Sequence, residues 1–165
     1  REQGIPVVAA GGIYNICLIL KAHAVGASVG MMGSLFAGTQ EAPGEYVYKD
    51  GVRVKKYRGM ASVEAMERGG GKRYFLNEGD LKVAQGVSGL VVDKGAVLDL
   101  VPYLLQGVKQ ALQDIGHRTI GELHDALENG RLLFELRSHS AQREGGVHSL
   151  FSYQEPVLGV KDRTT

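Results

Sequence analysis

Apolar and polar positions alternate along the chain in a few distinct rhythms. Residues 5–9 form a short apolar run with β-branched members, which predicts a strand buried on both faces. Gly11-Gly12 ends it. Asn15 is placed to cap a helix on which Ile16, Ile19, Leu20 and His23 share one face, with Gly26 closing it. Residues 28–32 repeat the buried-strand pattern. Strand, helix and strand at this spacing predict a βαβ unit with parallel strands, hence an α/β fold.

Further on, residues 45–56 alternate around Asp50-Gly51, a hairpin signal. A short helix over 62–68 is stopped by Gly69-Gly70-Gly71. Residues 98–115 carry Leu98, Val101, Leu104, Leu105, Val108, Ala111, Leu112 and Ile115 on one stripe ended by Gly116, the pattern of a helix packed on a sheet. Thr119 and Glu122 form a capping box for another helix, closed by Asn129-Gly130. Residues 132–136 read as an edge strand, 137–148 as a polar loop, and the end as a loose tail.

Composition changes this picture in few places. A 44% hydrophobic, 22% charged chain of 165 residues with net charge +1 is an ordinary single globular domain, without the charge that would favour nucleic acid or membrane. Glycine is the exception: 24 residues, about twice the usual share, which points to tight turns and close backbone–ligand approach. One cysteine excludes an internal disulfide and suits a reducing, cytoplasmic compartment. No apolar run has the length of a membrane span and no signal peptide is visible. The chain opens without methionine and enters a buried-looking strand almost at once, which predicts a cut inside a larger domain.

Chemistry concentrates at the strand ends and in one polar stretch. Gly33-Ser34 follows the second strand and precedes a short apolar turn, with Gly11-Gly12 on the neighbouring strand. Free N–H groups there favour a phosphate, as in the loops after the seventh and eighth strands of α/β barrels; two ordinary glycine turns are the alternative. The three glycines before Lys72 lack the earlier glycine and following Ser/Thr of a phosphate loop, and predict a flexible hinge. The polar, glycine-rich residues 72–89 then read as a mobile flap presenting Arg73 and Gln85 to a site built elsewhere. Arg73 alone is a solvated surface charge. Cys17, between Ile16 and Leu18 in mid-helix, has no neighbouring base and reads as structural. His139 and His148 lack metal-ligand partners and read as surface or packing residues.

Taken together, the chain resembles the C-terminal portion of inosine-5'-monophosphate (IMP) dehydrogenase. The likeness runs in order through residues 6–12, Met31-Met32-Gly33-Ser34, Glu41-Ala42-Pro43-Gly44-Glu45-Tyr46, Lys56-Tyr57-Arg58-Gly59-Met60, Arg73-Tyr74-Phe75 and residues 83–89. Tyr103, Gln113-Asp114-Ile115-Gly116, Ser140-Ala141-Gln142 and residues 144–148 continue it. GMP reductase shares the barrel and phosphate glycines but lacks the Arg-Tyr flap and the Glu-Gly-Gly loop.

The resemblance implies a (β/α)8 barrel whose last two strands and phosphate site lie in residues 1–44. The hairpin and flap would occupy 45–97, the C-terminal helices 98–130, and the edge strand, cation loop and tail 131–165. In that family a cysteine thiolate attacks C2 of IMP, hydride passes to NAD, and water hydrolyses the covalent intermediate to xanthosine monophosphate, a step of guanine nucleotide synthesis. By position Gly11, Gly12, Gly33, Ser34 and Tyr57 would hold the phosphate, and Gly59, Met60 and Gln85 would meet the purine. Arg73, with Tyr74, would enter the vacated nicotinamide site and activate water. Arginine needs a closed, desolvated site to act as a base, which a hinged flap provides. Glu144, Gly145 and Gly146 would offer carbonyls to a potassium ion shared between subunits of a tetramer.

Three departures qualify that expectation. The family's cysteine loop lies upstream, and Cys17 does not replace it. Ala10 stands where the family has an aspartate for the ribose hydroxyls. Ala61 stands where it has a glycine, and a positive φ there or a close approach to the purine would strain the methyl. A complete barrel takes about 250 residues, so this chain alone predicts open strand edges, an uncovered apolar face, and self-association or dependence on the missing part. A non-catalytic fragment that binds nucleotide or docks on full-length subunits is the alternative.

Overall fold

The computed structural model describes residues 4–77 and 79–141. Strand β1 (Val8–Ala10), helix α1 (Ile16–Ala24) and strand β2 (Val29–Met31) make the expected βαβ unit, with β1 and β2 parallel in the register Val8 to Val29 and Ala10 to Met31. The Asn15 side chain caps α1 by accepting a 2.9 Å bond from the Leu18 N–H. At the other end Gly26 takes φ +98°, the left-handed turn that glycine enters without strain.

The strands themselves depart from expectation. Ile5 is 63% exposed, Val8 49%, Val29 52% and Met31 60%. Only the alternate positions, Ala9 and Gly30, turn inward toward Ile13 and its neighbours. The apolar run is therefore buried on one face, because among the described residues nothing packs on the other.

Helix α2 (Ser34–Ala37) follows β2, and α1 is then clasped by α4 (Val97–Asp114) and α5 (Ile120–Glu128). Ile13, Ile19, Leu35 and Leu104 form one core cluster; Leu20, Ala24, Leu112 and Leu123 form the second. Helix α4 thus contributes to both. Its predicted stripe is wider than the core it meets, since Leu98 is 83% and Leu105 58% exposed. Close approach of α1 and α4 depends on Gly107, where a Cβ would stand 2.3 Å from Ile16 Cδ1.

A second sheet carries the hairpin. Strands β3 (Tyr46–Lys49) and β4 (Val52–Arg58) are antiparallel, joined by Asp50 (φ +52°) and Gly51 (φ +78°) as the Asp-Gly signal predicts. A third strand, β5 (Ser88–Val92), pairs antiparallel to β4. Its first two residues fall within the stretch that the sequence pattern assigns to the flap. Between them lie α3 (Val63–Glu67), capped by the Ser62 hydroxyl, and a 3-10 helix, Gly70–Tyr74. The glycine run leads into the 3-10 helix: Gly69 takes φ +100°, and a Cβ on Gly70 would meet the Ala65 carbonyl at 2.6 Å.

The expected edge strand over 132–136 does not form. Arg131 and Leu132 both donate to the Ala126 carbonyl, closing α5, and Leu132 packs into the second cluster. Beyond it Leu133 is 80% and Leu136 98% exposed, with no strand of either sheet beside them.

Candidate functional site

Parallel pairing of β1 and β2 brings their carboxyl ends level, so Gly11-Gly12 and Gly33-Ser34 leave the sheet on the same side. Gly11 and Gly12 both have positive φ, +94° and +72°, a backbone that side chains other than glycine adopt only under strain. Gly33 opens α2, its carbonyl accepting from Phe36 and Ala37 N–H at 3.1 and 3.0 Å, and Ser34 is the first helical residue.

The second sheet meets this point through Tyr57. A Cβ built on Gly33 would lie 3.2 Å from the Tyr57 hydroxyl, and one on Gly59 3.6 Å from the same oxygen. Tyr57 therefore reaches between Gly33 and Gly59, and a cleft of about 430 Å³ opens there, lined by Gly33, Thr39, Glu41, Tyr57 and Arg58 among others. Gly11 and Gly12 are exposed and do not line it.

The proposed purine-side residues are gathered through backbone. Gly59 N–H donates to the Val87 carbonyl at 2.8 Å, and the Gln85 and Gly86 N–H groups both donate to the Ala61 carbonyl, at 3.0 and 2.8 Å. Gln85 is thus tied next to Met60, which is 56% exposed. Ala61 is not among the residues with positive φ, so its methyl meets no backbone strain of that kind.

Arg73 and Tyr74 are not in this cleft. They lie on the 3-10 helix beside α3, both exposed, and neither side chain makes a hydrogen bond or ion pair within the described residues. Phe75, which follows, is 93% exposed at φ +57°. Cys17 is a free, exposed thiol on α1. Glu144, Gly145, Gly146 and His148 lie outside the described residues. Ala10, the last residue of β1, is exposed beside Gly11.

Sequence reading missed the residues that brace the site. Lys55 is 1% exposed, and its ammonium donates to the Thr39 and Ala42 carbonyls at 2.5 Å each and to the Gln40 carbonyl at 3.4 Å. Asp93, 6% exposed, accepts from Arg53 Nε at 3.2 Å, from the Tyr46 hydroxyl at 3.2 Å and from Gly95 N–H at 3.0 Å. Burial, and then the Asp93 carboxylate, push the Tyr46 phenol above its ordinary range. Burial alone pulls the neighbouring Lys94 ammonium down. The Glu41 carboxylate accepts from Val97 N–H at 3.0 Å, capping α4 from a distant loop. A lysine in an alternating strand reads as solvent-facing, so burial of Lys55 had no signal in the pattern. Glu41 and Tyr46 stood in a stretch already singled out, without a role attached.

A family model described as the IMP dehydrogenase / GMP reductase domain matches residues 1–148. The chain belongs to that family. Within the IMP dehydrogenases, it is 53% identical over 154 residues to the inosine-5'-monophosphate dehydrogenase of Vigna unguiculata, a match covering 93% of this chain and 31% of the relative. It is 50% identical to inosine-5'-monophosphate dehydrogenase 2 of Arabidopsis thaliana over the same shares, and 48% identical to the Trypanosoma brucei brucei enzyme over 97% of this chain and 32% of that one. The chain therefore spans about a third of the length of the curated relatives it matches. Its α/β architecture agrees with a domain of this family. Among the described residues no helix is long and apolar enough to cross a membrane, and no group of three His, Cys, Asp or Glu side chains could hold a metal ion.

Proposed function

We propose that this chain forms the closing part of a (β/α)8 barrel that oxidises IMP to xanthosine monophosphate, supplying its phosphate cradle and its arginine flap. The observation that carries the reading is the meeting of Gly33 and the Tyr57 hydroxyl at the carboxyl end of the parallel strands. Ligands in such folds bind at that end of the sheet. Gly33, Ser34 and Tyr57 would hold the phosphate of IMP, with Gly11 and Gly12 beside them. Gly59, Met60 and Gln85 would orient the purine through backbone and one amide side chain. The nucleophilic cysteine would come from the part of the barrel upstream of these residues.

NAD supplies the hydride acceptor when bound. Arg73 and Tyr74 are exposed, with no side-chain partner among the described residues, as this role requires; on closure of the flap they would exclude bulk water, and Arg73 would take the proton from the attacking water. Glu144, Gly145 and Gly146 would hold the potassium ion through carbonyl oxygens. A tetramer and a cytoplasmic location follow from the same family reading.

The exposed apolar residues of β1 and β2, with alanine at position 10, favour a second reading in which the chain docks on full-length subunits without turning over. The two are separated by assay of the chain alone and with a full-length relative. The proposal expects no NADH from IMP and NAD by the chain alone; steady turnover would refute it. Co-purification with intact subunits, without any gain in turnover, selects the docking reading.

A further inference from the structure

Lys55 and Tyr57 lie two residues apart on β4, so their side chains leave the same face of the strand. Tyr57 ends beside Gly33. Lys55 ends in the turn that follows α2, where the carbonyls of Thr39, Gln40 and Ala42 converge on its ammonium. The Tyr46 ring lies against the same group, 4.4 Å from Nζ to the ring centroid. A cation buried to 1% exposure is costly unless fully partnered, and here its hydrogen-bond partners are all backbone oxygens. The turn also holds itself by the Ala42 N–H donating to the Thr39 carbonyl at 3.3 Å, and the ammonium ties that turn to β4.

From this geometry we infer that Lys55 is a positioning residue for the phosphate end of the nucleotide site. It clamps the 39–42 turn onto β4 and so sets the gap between Tyr57 and Gly33. The inference rests on the phosphate-cradle reading above and deepens it. Thr39, Glu41 and Ala42 line the same cleft as Gly33 and Tyr57, so the wall and the reaching hydroxyl are held by one ammonium. The purine-side residues are secured separately, by the pairing of residues 59–61 with 85–87. Loss of Lys55 should therefore be felt at the phosphate and not at the base.

The test uses a full-length relative in which these residues replace the matching third, with IMP and inosine as paired ligands. Lys55→Met keeps the stem and removes every donor. Lys55→Gln keeps two donors on a shorter arm and guards against a Met variant that does not fold. The expected result is that KM and Kd for IMP rise about tenfold, with kcat at saturating IMP and Kd for inosine both within about twofold of the parent. The Gln variant should fall between parent and Met. Equal weakening of IMP and inosine, or no change in either, overturns the positioning role. A parent chimera that binds IMP no better than inosine instead removes the cradle reading, and the role of Lys55 with it.

Discussion

Ala10 is the residue where one atom group separates the two functional readings. It ends β1, exposed, one position before the left-handed Gly11. A carboxylate there would accept from ribose hydroxyls, and such a charge-assisted bond changes affinity by about ten- to a hundredfold. Ala10→Asp in the full-length chimera should tighten IMP by that factor, read by titration calorimetry; an unchanged Kd means another group already serves the ribose. Gly38 makes a different kind of claim. Its φ is an ordinary −80°, yet a Cβ would stand 2.2 Å from the Val92 carbonyl and 3.2 Å from Lys94 Cγ. Gly38→Ala should cost about 2–3 kcal/mol in chemical denaturation, because the obstructing atom belongs to backbone and cannot swing away. The need for glycine at 11, 12 and 33 was legible, since glycines at strand ends carry their own meaning. The need at 38 was not, because it arises from β5, a strand the sequence reading had partly given to the flap.

Elements were read well where their signal is local. Asn15, Ser62 and Thr119 each cap the helix that follows them, the last accepting from Glu122 N–H at 3.1 Å. The capping box is shifted in one respect: Glu122 reaches back to the Arg118 N–H at 2.8 Å rather than to Thr119. That bond comes first among the causes that hold the Glu122 carboxyl below its ordinary value. A lowered folded pKa means the contribution is complete above the unfolded value near 4.3 and fades as pH falls through the folded one. The melting-temperature gap between the parent and Glu122→Gln should accordingly be present at neutral pH and close in acid; a gap independent of pH contradicts the assignment. Where an element's support comes from afar, the pattern was silent. Helix α4 has alanine at its cap position and is capped instead by Glu41, 56 residues upstream. Glu41→Ala should cost about 1 kcal/mol in the denaturation midpoint and fray the first turn of α4 in amide exchange. The failed strand at 132–136 belongs to the same lesson, since alternation alone cannot supply a neighbour to pair with.

At the scale of the whole molecule, the βαβ unit and the antiparallel sheet are joined by the Lys55 ammonium on the 39–42 turn and by the contact of Tyr57 with Gly33, while Glu41 ties the same turn to α4. Val8, Val29 and Met31 of β1 and β2 face outward, which is the condition of strands that expect neighbours on both sides. This accounts for the one systematic error of the strand reading: the residues are of the right type for a fully buried parallel sheet, and the covering layers are not among those described. The central claim is that these residues carry the phosphate cradle and flap of an IMP-oxidising barrel. The most direct measurement is IMP-dependent NADH formation by a full-length relative whose matching third is replaced by residues 1–148. The account predicts steady turnover that is lost in Arg73→Ala while IMP remains bound. A folded chimera that neither binds IMP in preference to inosine nor forms NADH would contradict it.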